Sequence, residues 1–513
     1  MNERNNDERN NDESNNDEFN DVTVNLKGVK KIKKKNLDFL FVDIKKSRNI
    51  DELVHNINKC NNQINYLNIF DGIPRIFLSN SVDNNVIVNY NMLEKKSNYM
   101  IGTHVNNRGE VTLDLEMAIP YLFKTINSLE FKANFSSLYT NSFGTRFVIP
   151  QIPYNFQFLK NSKLFFEWTL SSINHTKTTS YALNTNSLKT HFLKNNNSFI
   201  WEFGYNKIFK KIDKNFINCD KILKSVDSNF KHSIRHIHKK DKLVYTLSDS
   251  TTLNTVNAPN NNDTRNENIQ TTPYPRGGYY YNIDTEISLP YCEQKFIKNM
   301  FNFLYVKKIK NNFFSYIQFS NGMKWHYDDF NTTKYDDEKI SLNTVMNKTD
   351  YSNCSYNLNQ QIKHKTIDYL NNFNFTGSVG ISEMIFRGFE YNSMGPVENC
   401  YKFNKEKKKY DLHYNYLGTH FFTNIQLIFK YIFKFQNLKP IAFFYIQVGR
   451  LSDYFYHSFD KFKNDFRISI GTGLTTFIQK NISLEVFFNY PLLYHMTDKT
   501  KFFQVGLNFK AVM

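Results

Sequence analysis

The feature that most limits what this chain can form is a period of two. Val111, Leu113, Leu115, Met117 and Ile119 alternate with Thr112, Asp114, Glu116 and Ala118, which makes one face of an extended segment apolar and the other mostly polar. The alternation returns near the end of the chain. Ile482, Leu484, Val486 and Phe488 alternate with Ser483, Glu485 and Phe487, and Phe503, Val505, Leu507 and Phe509 alternate with Gln504, Gly506, Asn508 and Lys510. A transmembrane helix needs about 18–20 consecutive apolar residues. No such run exists, and the best, such as residues 440–448, is one strand long. A helical membrane protein is excluded, whereas a transmembrane barrel is not, because its short alternating strands leave no hydropathy peak.

Two environments produce this pattern: a soluble sandwich with a shared core, or a barrel with lipid outside and water inside. Three observations favour the barrel. The apolar faces are rich in aromatics, which make up 16% of the chain; strands continue over roughly 415 residues; and the last alternating segment runs almost to residue 513. Closing a barrel requires a terminal strand that pairs with the first, since lipid tolerates no unpaired edge. The polar stretches 185–198, 207–242, 328–365 and 402–411 hold Asn/Lys runs and few apolar residues, and read as long loops.

Residues 21–96 read differently. Val22, Val24 and Leu26 alternate as a short strand, and a helix fits within 33–46. Asn49 can cap a helix on which Leu53, Ile57, Cys60, Ile64 and Leu67 recur at three- and four-residue spacing. Strands at 73–78 and 86–93 follow. The order β-α-α-β-β predicts one small α+β domain. Residues 1–20, with repeated Asn-Asn-Asp-Glu units, read as a disordered acidic tail without a cleavable targeting signal.

Other features carry little chemistry. The net charge of +17 accompanies Lys and Asn enrichment along the whole chain, so it reads as a property of loops before it reads as nucleic-acid binding. Cys60, Cys219, Cys292, Cys354 and Cys400 are widely spaced, with no Cys-x-x-Cys pair, indicating neither a disulfide framework nor a zinc site. His232, His236 and His238 lack a nearby carboxylate or Cys and read as a solvated basic loop. Gly471-Thr472-Gly473 lies within an alternating strand rather than between strand and helix. No nucleophile elbow, paired carboxylates or metalloprotease helix is present. The expectation is a non-enzyme with no cofactor and no metal.

The informative segment is Phe386-Arg387-Gly388-Phe389, followed by Ser393-Met394-Gly395-Pro396. An Arg between two aromatics and a Gly suits burial against a carboxylate. The segment resembles the loop-six motif of the BamA-like outer-membrane β-barrel assembly family, and within it the barrel subunits of the mitochondrial sorting and assembly machinery. Further residues match in the family's order. The N-terminal domain resembles a POTRA domain, with Leu67-Asn68-Ile69-Phe70 at its helix end. Ile119-Pro120-Tyr121-Leu122 resembles the turn after the first barrel strand. Asp263, Arg265, Pro275 and Gly278 resemble an Asp-x-Arg…Pro-x-x-Gly element at the start of a mid-barrel strand. Ser469-x-Gly471-x-Gly473-Leu474, Asn489-Tyr490-Pro491-Leu492 and Asp498 match near the end, and Gln504, Gly506, Phe509 and Ala511 resemble the mitochondrial β-signal. Ser483 and Thr419 depart from the residues usual in relatives.

The resemblance implies a mainly β fold: a POTRA-like domain over 21–96 and a sixteen-stranded transmembrane barrel over 97–513. It implies insertion of β-barrel precursors into the mitochondrial outer membrane by strand templating at a lateral gate between the first strand, near residues 99–103 and extending to Val105, and the last. Gly506 removes a side chain from that last strand, which weakens closure. Arg387 is expected to pair with Glu485 or, second, with Asp465. The implied partners are barrel precursors, outer-membrane lipid and accessory subunits, with no nucleic acid. The alternatives are a plastid-envelope import pore of the same superfamily, which would carry several POTRA domains, and a metabolite porin, which would lack both the domain and the loop. A soluble RNA-binding protein is the alternative from another class.

Overall fold

The computed structural model describes residues 21–80, 85–105, 111–137, 140–151, 162–176, 179–210, 216–223, 225, 227–244, 275–327, 370, 372–375, 385–433, 440–452, 465–479 and 482–512. The chain divides into two compact units. One comprises residues 1–98 with 117–130 and 146–165, and the other comprises 99–116, 131–145 and 166–513.

The first unit opens with strand β1 (Val22–Lys27), followed by helices α1 (Asp38–Lys45) and α2 (Ile50–Leu67) and strands β2 (Arg75–Asn80) and β3 (Val86–Asn91). Asn49 starts α2, its Oδ1 accepting from the Glu52 amide at 2.8 Å, while Glu52 Oε2 accepts from the Arg48 amide at 3.0 Å. This reciprocal capping satisfies amide groups that the first turn leaves unpaired. Asn68 ends the helix in a left-handed conformation at φ 53°. The predicted stripe Leu53, Ile57, Cys60, Ile64 and Leu67 is buried against Leu40, Phe41, Val88 and Tyr90. Strand β3 is central, parallel to β1 with Val22 opposite Val86, and antiparallel to β2. Strand β2 begins two residues later than the alternation predicts, because Pro74 has no N–H to donate and Ile73 is exposed.

Sixteen strands between residues 98 and 512 form a closed barrel. In chain order its strands are β4 (Asn98–Val105), β5 (Val111–Ile119), β6 (Ser128–Ser136), β7 (Asn141–Ile149), β8 (Ser162–Asn174), β9 (Ala182–Lys194) and β10 (Asn197–Phe209). A short strand β11 (Phe216–Ile217) and helix α3 (Asp220–Leu223) come next, outside the barrel order. The barrel resumes with β12 (Ser228–Asp241), β13 (Gly278–Ser288), β14 (Phe296–Lys310) and β15 (Phe313–His326). Strands β16 (Glu398–Asn404) and β17 (Lys409–Asn415) form a three-stranded sheet with β11. The last barrel strands are β18 (Phe421–Ile432), β19 (Ile441–Ser452), β20 (Phe466–Gln479), β21 (Ile482–Leu493) and β22 (Phe503–Val512). Each barrel strand neighbours the next in sequence order, and β22 pairs with β4 to close sixteen strands of the described chain.

The two faces of this wall differ as the alternation requires. Outward positions are large and exposed, as at Phe199, Trp201, Phe203, Ile425, Phe444 and Phe503. Inward positions are often buried and polar, as at Asn282, Asn302, Ser320, Asn424 and Gln447. A soluble sandwich would show the reverse, with its apolar side covered.

Three segments expected to be loops are strands. Residues 185–198 lie in β9 and β10, residues 228–241 form β12, and 404–409 is only the turn of the β16–β17 hairpin. The reason is the polar interior: inward Asn, Lys and Ser positions lower the apolar content of a barrel strand until it reads as loop. The stretch 328–365 and the tail 1–20 lie outside the described residues.

Candidate functional site

Residues 385–395 run through the barrel interior, and its wall reads their main chain. The Ile385 carbonyl accepts from Asn424 Nδ2 at 3.2 Å and from Gln447 Nε2. The Arg387 amide donates to Gln447 Oε1 at 3.1 Å. The Gly388 carbonyl accepts from the Lys501 amide at 2.8 Å, and the Phe389 carbonyl from Gln504 Nε2 at 3.1 Å. The Glu390 amide donates to the Lys499 carbonyl at 2.9 Å. Side chains from β18, β19 and β22 thus replace the water that an isolated loop would bind. The apolar share of the contact is Phe386 and Phe389, packed edge to face at 5.5 Å within a cluster of Phe373, Phe375, Met394, Phe422 and Leu451. Gly388 has φ 90°, and an added Cβ would lie 2.7 Å from Ser469 Oγ, so only glycine turns the loop here without strain.

Arg387 is 4% exposed. Its guanidinium carbon lies 5.2 Å from the centre of the Phe487 ring, 5.4 Å from Tyr445 and 6.0 Å from Phe443. Gly471 and Gly473 of β20 make the space for this cage. A Cβ on the first would meet the Tyr445 ring at 2.6 Å, and on the second the Phe443 ring at 2.4 Å. The charge of Glu485 acts on Arg387, while Asp465 stands 3.5 Å from Arg450. A buried cation among three π faces and a carboxylate is a strong fixing point for a loop.

Gly395 begins the return of the loop, and Pro396 follows it. The Gly395 amide donates to Asp498 Oδ1 at 3.3 Å. Asp498 also accepts from the His495 amide at 2.6 Å and pairs with Arg467. Asn424, Gln447 and Arg467 were not predicted as site residues. The signal available for the first two was a polar residue at inward parity, as Gln447 is between Ile446 and Val448.

Gln504 faces inward at 5% exposed, and its Oε1 also accepts from Asn489 Nδ2 at 3.1 Å. Gly506, Phe509 and Ala511 lie further along β22, opposite Glu485, Thr103 and Ile101 respectively. The β22–β4 seam joins five residue pairs, from Asn508–His104 to Val512–Met100, against fourteen between β14 and β15. Asp263 and Arg265 lie outside the described residues. Pro275 offers its carbonyl to the Tyr316 hydroxyl, and Gly278 starts β13.

Polar groups on the outward wall pair with one another. Trp168 Nε1 donates to Asn186 Oδ1 at 2.9 Å, and Trp201 Nε1 to His232 Nε2 at 2.9 Å. His236 and His238 both reach Asn197 Oδ1. The histidine cluster therefore lies on a strand face rather than in a solvated loop. Cys400 in β16 and Cys219, just before α3, are free thiols, and burial pushes Cys400 up to about 11. Among the described residues no group of three or more His, Cys, Asp or Glu could hold a metal, and no helix is long and apolar enough to cross a membrane.

A small α+β domain followed by a sixteen-stranded antiparallel barrel, with a loop fixed inside the barrel by a caged arginine, defines the structural class of this chain. The same fold occurs in BamA from Haemophilus ducreyi lacking POTRA domains 1–3, with a TM-score of 0.63 at 12% identity over 96% of this chain and 84% of that one. CdiB from Escherichia coli aligns with a TM-score of 0.50 at 10% identity, over 97% of this chain and 77% of its own. No protein-family model and no curated protein sequence matches the chain.

Proposed function

We propose that this chain is an integral outer-membrane barrel that inserts and assembles β-barrel precursor polypeptides, acting in the mitochondrial outer membrane. The supporting observation is the contrast at the seam. Five pairs hold β22 to β4, whereas the loop of residues 385–395 is fixed by main-chain bonds, a caged arginine and buried rings. A barrel opens most readily where few backbone bonds join neighbouring strands. The mechanism is β-augmentation: an opened seam presents two rows of unpaired N–H and C=O groups, and an incoming strand satisfies them. In hydrocarbon each unsatisfied backbone group costs several kcal/mol, so the template drives pairing without covalent chemistry. Gly506, Phe509 and Ala511 form one lip, with Gly102 and Thr103 on the other.

The outward wall supports the membrane part of this reading. It is exposed and aromatic, and some of its polar side chains pair laterally, Trp168 with Asn186 and Trp201 with His232, as a surrounding without water favours. Accessory subunits and barrel precursors are the proposed partners. Depletion of the protein followed by an assay of outer-membrane barrel assembly tests the function. Assembly of other barrels should fall while helical membrane proteins insert normally, and unchanged barrel assembly refutes the reading. Alkaline carbonate extraction tests the location separately, since an integral barrel stays with the membrane pellet.

A further inference from the structure

The outward face of β6 to β10 carries a groove of about 400 Å3 whose floor is apolar: Phe135, Phe143, Leu170 and Tyr205. One end is polar, with Ser172, Asn184 and Lys207. Asn184 and Lys207 are opposite each other in the β9–β10 register, two residues inside the strand ends at Ala182 and Phe209. Beside the groove Trp168 is matched by Asn186. The side chains of Ser172, Asn184 and Lys207 have no hydrogen-bond partner among the described residues, and the Lys207 ammonium rests 5.4 Å from the Phe209 ring. The wall therefore offers an apolar trough ending in one cation, one amide and one hydroxyl, each two residues from a strand end.

We propose that this groove holds one anionic phospholipid, with an acyl chain along Phe135, Phe143, Leu170 and Tyr205 and the headgroup phosphate at Lys207, Asn184 and Ser172. The inference rests on the membrane-spanning reading above. The chemistry matches at both ends. Apolar surface open to the bilayer is filled by hydrocarbon chains, and an outward lysine near a strand end meets anionic oxygen at the headgroup level. Asn184 Nδ2 and the Ser172 hydroxyl add neutral donors to the same phosphate, which turns a point-charge contact into an oriented one. A zwitterionic lipid presents the same phosphate beside its own cation, which competes with Lys207, so the site prefers a net anionic headgroup.

The test uses the full chain, stripped of lipid in detergent and returned to nanodiscs of phosphatidylglycerol or of phosphatidylcholine, with bound lipid counted by native mass spectrometry. Wild type should retain one phosphatidylglycerol per barrel and at least fivefold less phosphatidylcholine. Lys207→Gln should lower phosphatidylglycerol retention at least fivefold and erase the preference. Leu170→Trp, which fills the trough, should abolish retention of both lipids. Strand content by circular dichroism must match wild type for each variant, and Lys207→Gln, being exposed, keeps the test decisive if Leu170→Trp misfolds. Equal retention by Lys207→Gln and wild type overturns the proposal, as does equal retention of the two lipids. A chain that enters nanodiscs but retains no lipid refutes this site alone, whereas one that never enters them refutes the membrane reading as well.

Discussion

Gln504 Nε2 donates a 3.1 Å hydrogen bond to the main-chain carbonyl of Phe389, so the last strand of the barrel holds the loop inside it. The contact is part of a relay. Gln504 Oε1 accepts from Asn489 Nδ2 at 3.1 Å, Asn489 Oδ1 accepts from the Tyr445 hydroxyl at 2.6 Å, and the Tyr445 ring flanks the Arg387 guanidinium. Seating of the loop and pairing of the final strand are thus joined by one buried polar network.

Replacing Gln504 by Leu leaves the Phe389 carbonyl and the Asn489 amide without these partners in a buried setting. Each such loss costs about 1–3 kcal/mol. Gln504→Leu is expected to lower the thermal unfolding temperature of the purified barrel and to lower disulfide cross-linking between cysteines introduced at paired positions across the β22–β4 seam. Gln504→Glu keeps an acceptor for Asn489 but sets a buried carboxylate against the Phe389 carbonyl, and should cost at least as much. Wild-type values for Gln504→Leu on both measures would uncouple loop and strand.

Arg387 is held by ring faces as well as by charge. Arg387→Ala removes the cation from three aromatic contacts and opens a cavity among them. A desolvated cation–π contact contributes about 2 kcal/mol or more, and the cavity adds to the loss. Arg387→Lys keeps the charge without the planar fork and is expected to recover only part of the stability. If Glu485 is the governing carboxylate, exchanging the pair as Arg387→Glu with Glu485→Arg should restore some barrel assembly that Arg387→Glu alone abolishes. Normal assembly in Arg387→Ala would remove the arginine from the mechanism.

A second charged anchor lies at the turn between β21 and β22. Asp498 pairs with Arg467 and accepts from the Gly395 and His495 amides. Asp498→Ala removes the carboxylate from the Arg467 guanidinium, itself 7% exposed, at a cost of about 3–5 kcal/mol. Asp498→Asn keeps one acceptor oxygen at the site and should cost less. The double variant Arg467→Met with Asp498→Leu removes both charges, so it should unfold at a higher temperature than Asp498→Ala. Thermal denaturation of the three variants orders them.

How much of this was legible depended on whether neighbouring positions contrast. In β21 the row Ile482, Leu484, Val486, Phe488 stands against polar neighbours at Ser483 and Glu485, and the strand is readable from its own letters. In β12 the outward row includes His232, His236 and His238 while the inward row includes Asn229, Lys231 and Ser233. Phe230 and Ile234 are the only large apolar residues on the outward row, and its histidines are tolerated because Trp201 and Asn197 on the neighbouring strand satisfy the imidazoles. That pairing is a fact of register, which no local window contains. The site divides in the same way. Arg387, Gly388 and Phe389 stand out because their residue types are unusual together. Asn424 and Gln447 bond the loop's main chain, and their sequence shows only polar residues at inward parity, not which main-chain groups they meet.

In the first unit Glu94 Oε1 accepts from three successive amides, Lys30 at 2.9 Å, Lys31 at 2.7 Å and Ile32 at 3.1 Å. One carboxylate oxygen thereby closes the turn that carries Ile32 into the core beside Leu37 and Val29. Charge-assisted bonds of this kind are about twice as strong as neutral ones. Lys30 and Lys31 are exposed, however, so water replaces part of what is lost. Glu94→Ala is therefore expected to cost about 1–2 kcal/mol rather than the sum of three buried bonds, and Glu94→Gln less, because its amide oxygen still accepts. The direct readout is tryptic cleavage after Lys30 and Lys31 in the full chain. It should accelerate severalfold in Glu94→Ala and modestly in Glu94→Gln, while cleavage within α2, capped independently by Asn49, stays at the wild-type rate. Acceleration at every site alike would mean that Glu94 supports the whole unit, and no acceleration after Lys30 and Lys31 would mean that the turn holds without it.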